Sequence, residues 1–290
     1  MIRFIFLVVI SLLSCSINAG PLITKISESF ELAGSKIYTV DSEILERKYD
    51  LYVKLPKNYS EDNTKNEIYP VIYLNDGPHT FKVASGVTHF EDMDKAIIVG
   101  ISFAHGENGQ FSRVRDLTPM VDTGWKRYTT GGAKEYLKFI EKEVIPFIEG
   151  IFRVDPTRRI LSGHSLGGSF GAWVLLTKPQ LFSSYILTSP SLWFKDEMIF
   201  DLEDKYASHN NSLAVNVYIA TGALETTKKG RMRNDMVDGH KRFFARLQSR
   251  NYRGLKLNGE IVNGTDHFST FPVGLAKGLR WIYHDMWAGS

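Results

Sequence analysis

The chain of 290 residues is 43% hydrophobic and 23% charged, with a formal net charge of +3. These values are typical of one large globular domain. The small net charge, without a basic stretch interleaved with aromatic residues, argues against a nucleic acid as partner. Cys15 is the only cysteine, which excludes a disulfide and a thiol nucleophile from the domain that follows it.

Residues 1–19 predict a signal peptide. Arg3 supplies the positive charge that precedes the apolar stretch of a signal peptide. The apolar run at 4–13 is shorter than the ~20 residues that a membrane-spanning helix needs. Two processing sites compete, because ordinary cleavage before Gly20 and a lipobox ending at Cys15 both fit the sequence. We therefore expect a periplasmic or secreted protein, or alternatively an outer-membrane lipoprotein that meets the membrane only through a lipid anchor.

An irregular lead-in at 20–34 precedes one domain, expected over 35–290. Segments 37–40 and 48–55 alternate apolar and polar residues, which predicts antiparallel strands with one solvated face. Later apolar runs are continuous, as in buried parallel strands, and helical patterns separate them, so we expect a mostly parallel sheet with helices on both faces. The further predicted strands are 71–74, 96–101, 158–162, 185–188, 214–220 and 257–262, and the predicted helices are 80–90, 132–148, 195–208, 232–250 and 272–287.

Residues 159–168 predict a strand, a G-x-S-x-G turn and the start of a helix. Gly163 and Gly167 allow close backbone approach, and the tight turn lifts the Ser165 hydroxyl clear of the sheet edge. The start of a helix also leaves backbone N–H groups without partners. The pattern therefore predicts Ser165 as a nucleophile and the N–H of Leu166 as one donor to an oxyanion.

A serine nucleophile needs a base, and its partners should lie in loops after the carboxyl ends of the strands. Of eight histidines, His267 follows the last predicted strand in a polar, Gly-containing loop. Glu225 follows the strand before it, which gives the chain order Ser, Glu, His that this kind of fold requires. Asp266 is the rival carboxylate, disfavoured because adjacent side chains rarely point at each other. The second oxyanion donor is expected from the loop at 75–79.

Six segments in this order resemble the putative-esterase family of α/β-hydrolases, whose relatives include esterase D, enterobactin-type siderophore esterases, feruloyl esterases and mycolyltransferases. The resemblance covers roughly residues 35–288. It implies an α/β-hydrolase fold and a triad of Ser165, Glu225 and His267. The segments are Tyr-Leu-Asn-Asp-Gly at 73–77, Arg-Val-Arg-Asp-Leu-Thr-Pro at 113–119, Gly-His-Ser-Leu-Gly-Gly at 163–168, Ser-Pro-Ser-Leu-Trp at 189–193, Gly-Ala-Leu-Glu at 222–225 and Asp-His at 266–267.

One position departs from the family pattern. In relatives the residue after Asp-Gly commonly gives the second oxyanion N–H, but here it is Pro78, which has none. Either Gly77 or His79 then donates. The roughly two dozen residues between predicted strands 185–188 and 214–220 leave no room for a large lid.

Two further residues have open roles. Arg113 could bind an acidic group of the substrate or form a buried ion pair with Asp116. Trp193 could form the floor of a pocket for an acyl or aryl group, or it could belong to the hydrophobic core.

The sequence thus predicts a serine carboxylic-ester hydrolase that forms an acyl-enzyme. The substrate would be a small-molecule or polymer-linked ester, such as a siderophore, feruloyl or acetyl ester. No cofactor and no metal are implied, since no metal-binding pattern is present. An acyltransferase on the same fold and a non-catalytic binding module are the alternatives, and the oligomeric state is left open.

Overall fold

The computed structural model describes residues 31–90, 92–228 and 232–287. Within them one eight-stranded sheet is formed by β1 (Ser35–Ser42), β2 (Arg47–Lys54), β3 (Tyr69–Leu74), β4 (Ile97–Ile101), β5 (Val154–His164), β6 (Ser184–Thr188), β7 (Asn216–Gly222) and β8 (Lys256–Val262).

The strand order is β1-β2-β4-β3-β5-β6-β7-β8. The pairs β1–β2 and β2–β4 are antiparallel, and every pair from β4–β3 to β7–β8 is parallel. Strands β3, β4 and β6 are buried along their whole length, which explains their continuous apolar sequences. The mostly parallel sheet with an antiparallel edge confirms the predicted fold class.

Helices connect the parallel strands, as the sequence predicts. They are α1 (Gly77–Val87), α2 (Gly109–Leu117), α3 (Ala133–Phe139), α4 (Ile145–Ile151), α5 (Leu166–Thr177), α6 (Phe194–His209), α7 (Met236–Ser249) and α8 (Thr270–Trp281), with π-helical turns at Ile140–Val144, which joins α3 to α4, and at Ile282–Met286, which extends α8.

Different helices cover the two faces of the sheet. On one face, Val71 and Tyr73 of β3 belong to a large apolar cluster with residues of α2 to α7. On the other face, α8 packs closely on β6 and β7, since a Cβ at Gly278 would lie 3.0 Å from both Ile186 and Tyr218. Helix α1 packs beside α8 and on β4. Burial on both faces leaves the strand ends as the places where polar side chains can gather.

The structure departs from the predicted elements at two points. Helix α2 was not predicted, because few of its nine residues are apolar and its start depends on Asn108, whose side chain accepts a hydrogen bond from the Gln110 N–H. The predicted helix at 195–208 begins with three non-helical residues, Lys195–Glu197, which have positive φ. Only α6 lies between β6 and β7, so no large lid is inserted there.

The predicted signal peptide at 1–19, the lipid anchor at Cys15 and most of the lead-in at 20–34 lie outside the described residues. No helix in the described part is long and apolar enough to cross a membrane.

The close approach of β5 and α5 can be tested by alanine substitutions at two glycines, one at this contact and one away from it. A Cβ at Gly163 would lie 2.1 Å from the carbonyl oxygen of Gly167, so Gly163→Ala must displace α5. We expect it to lower the free energy of unfolding by about 3 kcal/mol in urea denaturation. The matched Gly86→Ala in α1, where a Cβ would meet nothing within 4 Å, should instead stabilise by up to about 1 kcal/mol. Equal stabilities of the two variants would contradict the packing described.

Candidate active site

The predicted elbow is formed at the junction of β5 and α5. Ser165 has φ 59° and ψ −117°, a conformation that costs a non-glycine residue about 1–3 kcal/mol. Its backbone is held from the neighbouring strand, because its N–H donates to the Thr188 carbonyl at 3.0 Å and its own carbonyl accepts from the Ser191 N–H at 3.1 Å. These bonds keep the strained residue at the start of α5.

A continuous chain of hydrogen bonds links three residues that lie far apart in the sequence. The Oγ of Ser165 is 3.0 Å from Nε2 of His267, and Nδ1 of His267 is 2.6 Å from Oε2 of Glu225. The Glu225 side chain is only 1% exposed, whereas that of His267 is 21% exposed. The structure therefore brings together the three residues that the sequence singled out, with the histidine partly exposed to solvent.

The buried Glu225 carboxylate is satisfied by polar groups from three separate segments of the chain. Its Oε1 accepts from the Ser189 hydroxyl at 2.6 Å and from the Gly222 N–H at 2.7 Å, and the Thr270 hydroxyl lies at 3.0 Å. Burial raises the pKa of this carboxyl, but the hydrogen bonds that it accepts outweigh burial and hold that pKa below its ordinary value. The residue is therefore a carboxylate. Sequence reasoning missed Ser189 and Thr270.

The ionised carboxylate fixes the proton positions along the chain. Because a carboxylate can only accept, Nδ1 of His267 carries the hydrogen that is donated to Glu225. In the neutral imidazole, Nε2 then presents its lone pair to Ser165, whose hydroxyl donates to it. This is the arrangement in which the histidine can take the serine proton.

Asp266 is engaged elsewhere. Its Oδ1 accepts from the N–H of Ser269 at 2.9 Å and from the Ser269 hydroxyl at 2.6 Å, just before α8. The carboxylate thus closes the turn that leads into this helix, and the carboxylate bound to the neighbouring imidazole is that of Glu225.

Two helix starts face each other beside Ser165. The N–H groups of Leu166 and Gly77 belong to the first residues of α5 and α1 and have no acceptor within their own helices. The starts are adjacent, since a Cβ at Gly167 would lie 3.5 Å from Cβ of Asn75. The His79 N–H, the other candidate, donates to the Asp76 carbonyl at 2.9 Å. The geometry therefore favours Gly77 over His79 as a free donor.

Arg113 has a different partner from the one considered in the sequence. Its Nε and Nη2 bind the two carboxylate oxygens of Asp76 at 2.8 and 3.0 Å. Asp116 is instead bound by Arg115 at 2.8 Å. Asp76 has φ 57° and directly precedes Gly77, so the ion pair anchors the turn at the start of α1.

Trp193 is half-buried, lies two residues after Ser191 in the segment that follows β6, and forms part of an aromatic cluster. Its ring stacks on Trp125 with centroids 6.1 Å apart and an interplanar angle of 16°. Edge contacts from Tyr128 and Phe194 support Trp125. Sequence reasoning missed Trp125, because nothing in its own segment links it to the loop after β6.

His164 lies against the ring of His267, with centroids 4.6 Å apart. The Thr188 hydroxyl donates to the Gly163 carbonyl, so Nδ1 of His164, 3.2 Å from that hydroxyl, is the donor in their contact. Burial and the neighbouring His267 lower the pKa of His164 to about 4. A neutral ring thus packs on the histidine of the hydrogen-bonded chain.

The described residues contain no group of three or more His, Cys, Asp or Glu side chains placed to hold a metal ion.

Comparison with known proteins decides the family. The model of the family described as "Putative esterase" matches residues 42–282. The chain belongs to this family. The ferri-bacillibactin esterase BesA of Bacillus subtilis (strain 168) is 30% identical to it over 275 residues, which cover 89% of this chain and 92% of that protein.

Two further relatives agree with this assignment. The siderophore triacetylfusarinine C esterase of Aspergillus fumigatus is 27% identical, over 82% of this chain and 89% of its own length. The crystal structure of the BES protein from Bacillus cereus matches with a TM-score of 0.78 at 29% identity, over 89% of this chain and 98% of that chain. The protein is therefore a carboxylic ester hydrolase with an α/β-hydrolase-like fold.

Proposed function

We propose that the protein is a serine esterase in which Ser165 is the nucleophile, His267 the general base and Glu225 the carboxylate that orients it. The observation that carries the proposal is the unbroken hydrogen-bond chain of 2.6 and 3.0 Å from Glu225 to Ser165. An ionised, buried carboxylate at one end and a hydroxyl at the start of a helix at the other fit acyl transfer through a covalent intermediate.

The first half-reaction forms the acyl-enzyme. As Oγ of Ser165 attacks the ester carbonyl carbon, its proton moves to Nε2 of His267. The carbonyl oxygen becomes negative and accepts hydrogen bonds from the N–H groups of Leu166 and Gly77. When the tetrahedral intermediate collapses, the alcohol leaves with the proton from His267.

The second half-reaction releases the acid. His267 takes a proton from a water molecule, whose oxygen attacks the acyl carbon, and the same two N–H groups receive the oxyanion. Collapse of this intermediate returns the proton to Oγ of Ser165 and frees the carboxylic acid. Glu225 stabilises the imidazolium in both halves without being protonated itself.

We propose a siderophore-type ester as the substrate class, because BesA and the triacetylfusarinine C esterase, which this chain resembles along most of its length, are both esterases of siderophores. Trp193, stacked on Trp125, would form the side of the pocket against a planar acyl group. Arg113 binds Asp76 through Nε and Nη2, which leaves Nη1 for an acidic or carbonyl group of the substrate. Because no large lid is inserted after β6, a bulky ester can approach Ser165.

We also propose that the mature protein works outside the cytoplasm. This rests on the sequence of residues 1–19 alone, with Cys15 as the site of a lipid anchor if the lipobox is used.

Replacement of the nucleophile tests the proposal. Ser165→Ala should lower kcat by about 10⁶-fold on any ester that an ester-library screen identifies, because it removes the hydroxyl that is hydrogen-bonded to Nε2 of His267. Covalent labelling by a fluorophosphonate should disappear, while the thermal unfolding midpoint changes little. Labelling that persists in this variant would refute the assignment.

The two rival carboxylates can be compared directly. Glu225→Gln should reduce kcat by about 10⁴-fold, since an amide cannot stabilise the imidazolium and can fix the wrong tautomer. Asp266→Asn is the matched control and should keep kcat close to that of the wild type, because Asp266 contacts Ser269 and not His267. A larger loss in Asp266→Asn than in Glu225→Gln would reverse the assignment.

A further inference from the structure

The Ser-Pro-Ser segment after β6, residues 189–191, contacts two members of the proposed triad at once. Ser189 donates to the Glu225 carboxylate at 2.6 Å. Ser191, two residues later, donates its N–H to the Ser165 carbonyl at 3.1 Å. Its own hydroxyl lies 3.4 Å from Oγ of Ser165. The function described above uses Ser189 but leaves the second hydroxyl without a role.

Ser191 is buried and its backbone is restricted by its neighbours. The residue is 2% exposed, and the preceding Pro190 restricts the backbone and packs against α5, where a Cβ at Gly168 would lie 3.0 Å from Cα of Pro190. A buried hydroxyl normally has a close partner, and 3.4 Å is long for a bond between two hydroxyls. The group is thus buried next to the nucleophile with only a loose contact in the resting enzyme.

The direction of that contact follows from the proton positions. The single hydrogen of the Ser165 hydroxyl points to Nε2 of His267, so only lone pairs of Oγ remain for Ser191. The Ser191 hydroxyl is therefore the donor. The hydrogen bond from this donor to Oγ becomes stronger when that oxygen gains negative charge.

We propose that Ser191 is a further catalytic group, whose hydroxyl donates to Oγ of Ser165 at the two moments when that oxygen is charged. The first is during attack, when the Ser165 hydroxyl loses its proton to His267. The second is during deacylation, when the bond between Oγ and the acyl carbon breaks. No proton leaves Ser191 in either step. The proposal rests on the proposed serine-esterase mechanism.

Three variants separate this role from packing. Ser191→Ala removes the hydroxyl, and Ser191→Cys keeps a similar volume but offers only a weak donor. Ser169→Ala is the matched control, because the Ser169 hydroxyl contacts the backbone carbonyls of Ser165 and Leu166 but not the nucleophile's side chain. Each is compared with the wild type in fluorophosphonate labelling rate, kcat, KM and thermal unfolding midpoint.

We expect Ser191→Ala and Ser191→Cys each to lower both the labelling rate and kcat by about tenfold, with KM and the unfolding midpoint nearly unchanged. Ser169→Ala should behave as the wild type. The proposal is overturned if Ser191→Ala reacts at the wild-type rate, if Ser191→Cys retains full activity, or if Ser169→Ala is equally impaired. A wild-type enzyme that does not label at Ser165 would instead refute the serine-esterase mechanism itself.

Discussion

The steric constraint at the end of β5 determines the rest of the site. The chain reverses from strand to helix so sharply that a Cβ at position 163 would lie 2.1 Å from the carbonyl oxygen of Gly167, and position 168 is also tight, with backbone atoms of Thr188 and Pro190 3.0 Å from a Cβ there. The reversal places Ser165 in a left-handed conformation at the first free N–H groups of α5. Strain at one residue therefore exposes a hydroxyl and, beside it, the donors that an oxyanion needs.

Burial of the Glu225 carboxylate imposes a second requirement. A charge that is 1% exposed is tolerated only when hydrogen bonds replace its lost hydration. Here the donors lie in the loops after β6 and β8, at the end of β7 and at the start of α8, so the same contacts that stabilise the charge fix these segments relative to one another. Because His267 and Ser189 lie on two of these segments, folding and the alignment of the hydrogen-bonded chain are coupled.

The parts that could be predicted from the sequence share a local or topological signal. Buried parallel strands appear as unbroken apolar runs, and the rule that polar residues gather at their carboxyl ends was enough to select Glu225 and His267. Arg113 shows the limit of such reasoning. Its partner Asp76 lies 37 positions away, whereas the sequence offered the nearby Asp116. Trp125, Ser189 and Thr270 were missed for the same reason, since their contacts arise only from tertiary packing.

Mass spectrometry can detect the covalent intermediate in enzyme that is quenched with acid during its first turnover of an activated acetyl ester. We expect one acetyl group per chain, located on the peptide that contains Ser165, and this group should disappear when the substrate is exhausted. Product release without any acetylated enzyme, or an acetyl group on a different residue that forms and decays at the turnover rate, would refute the proposed mechanism.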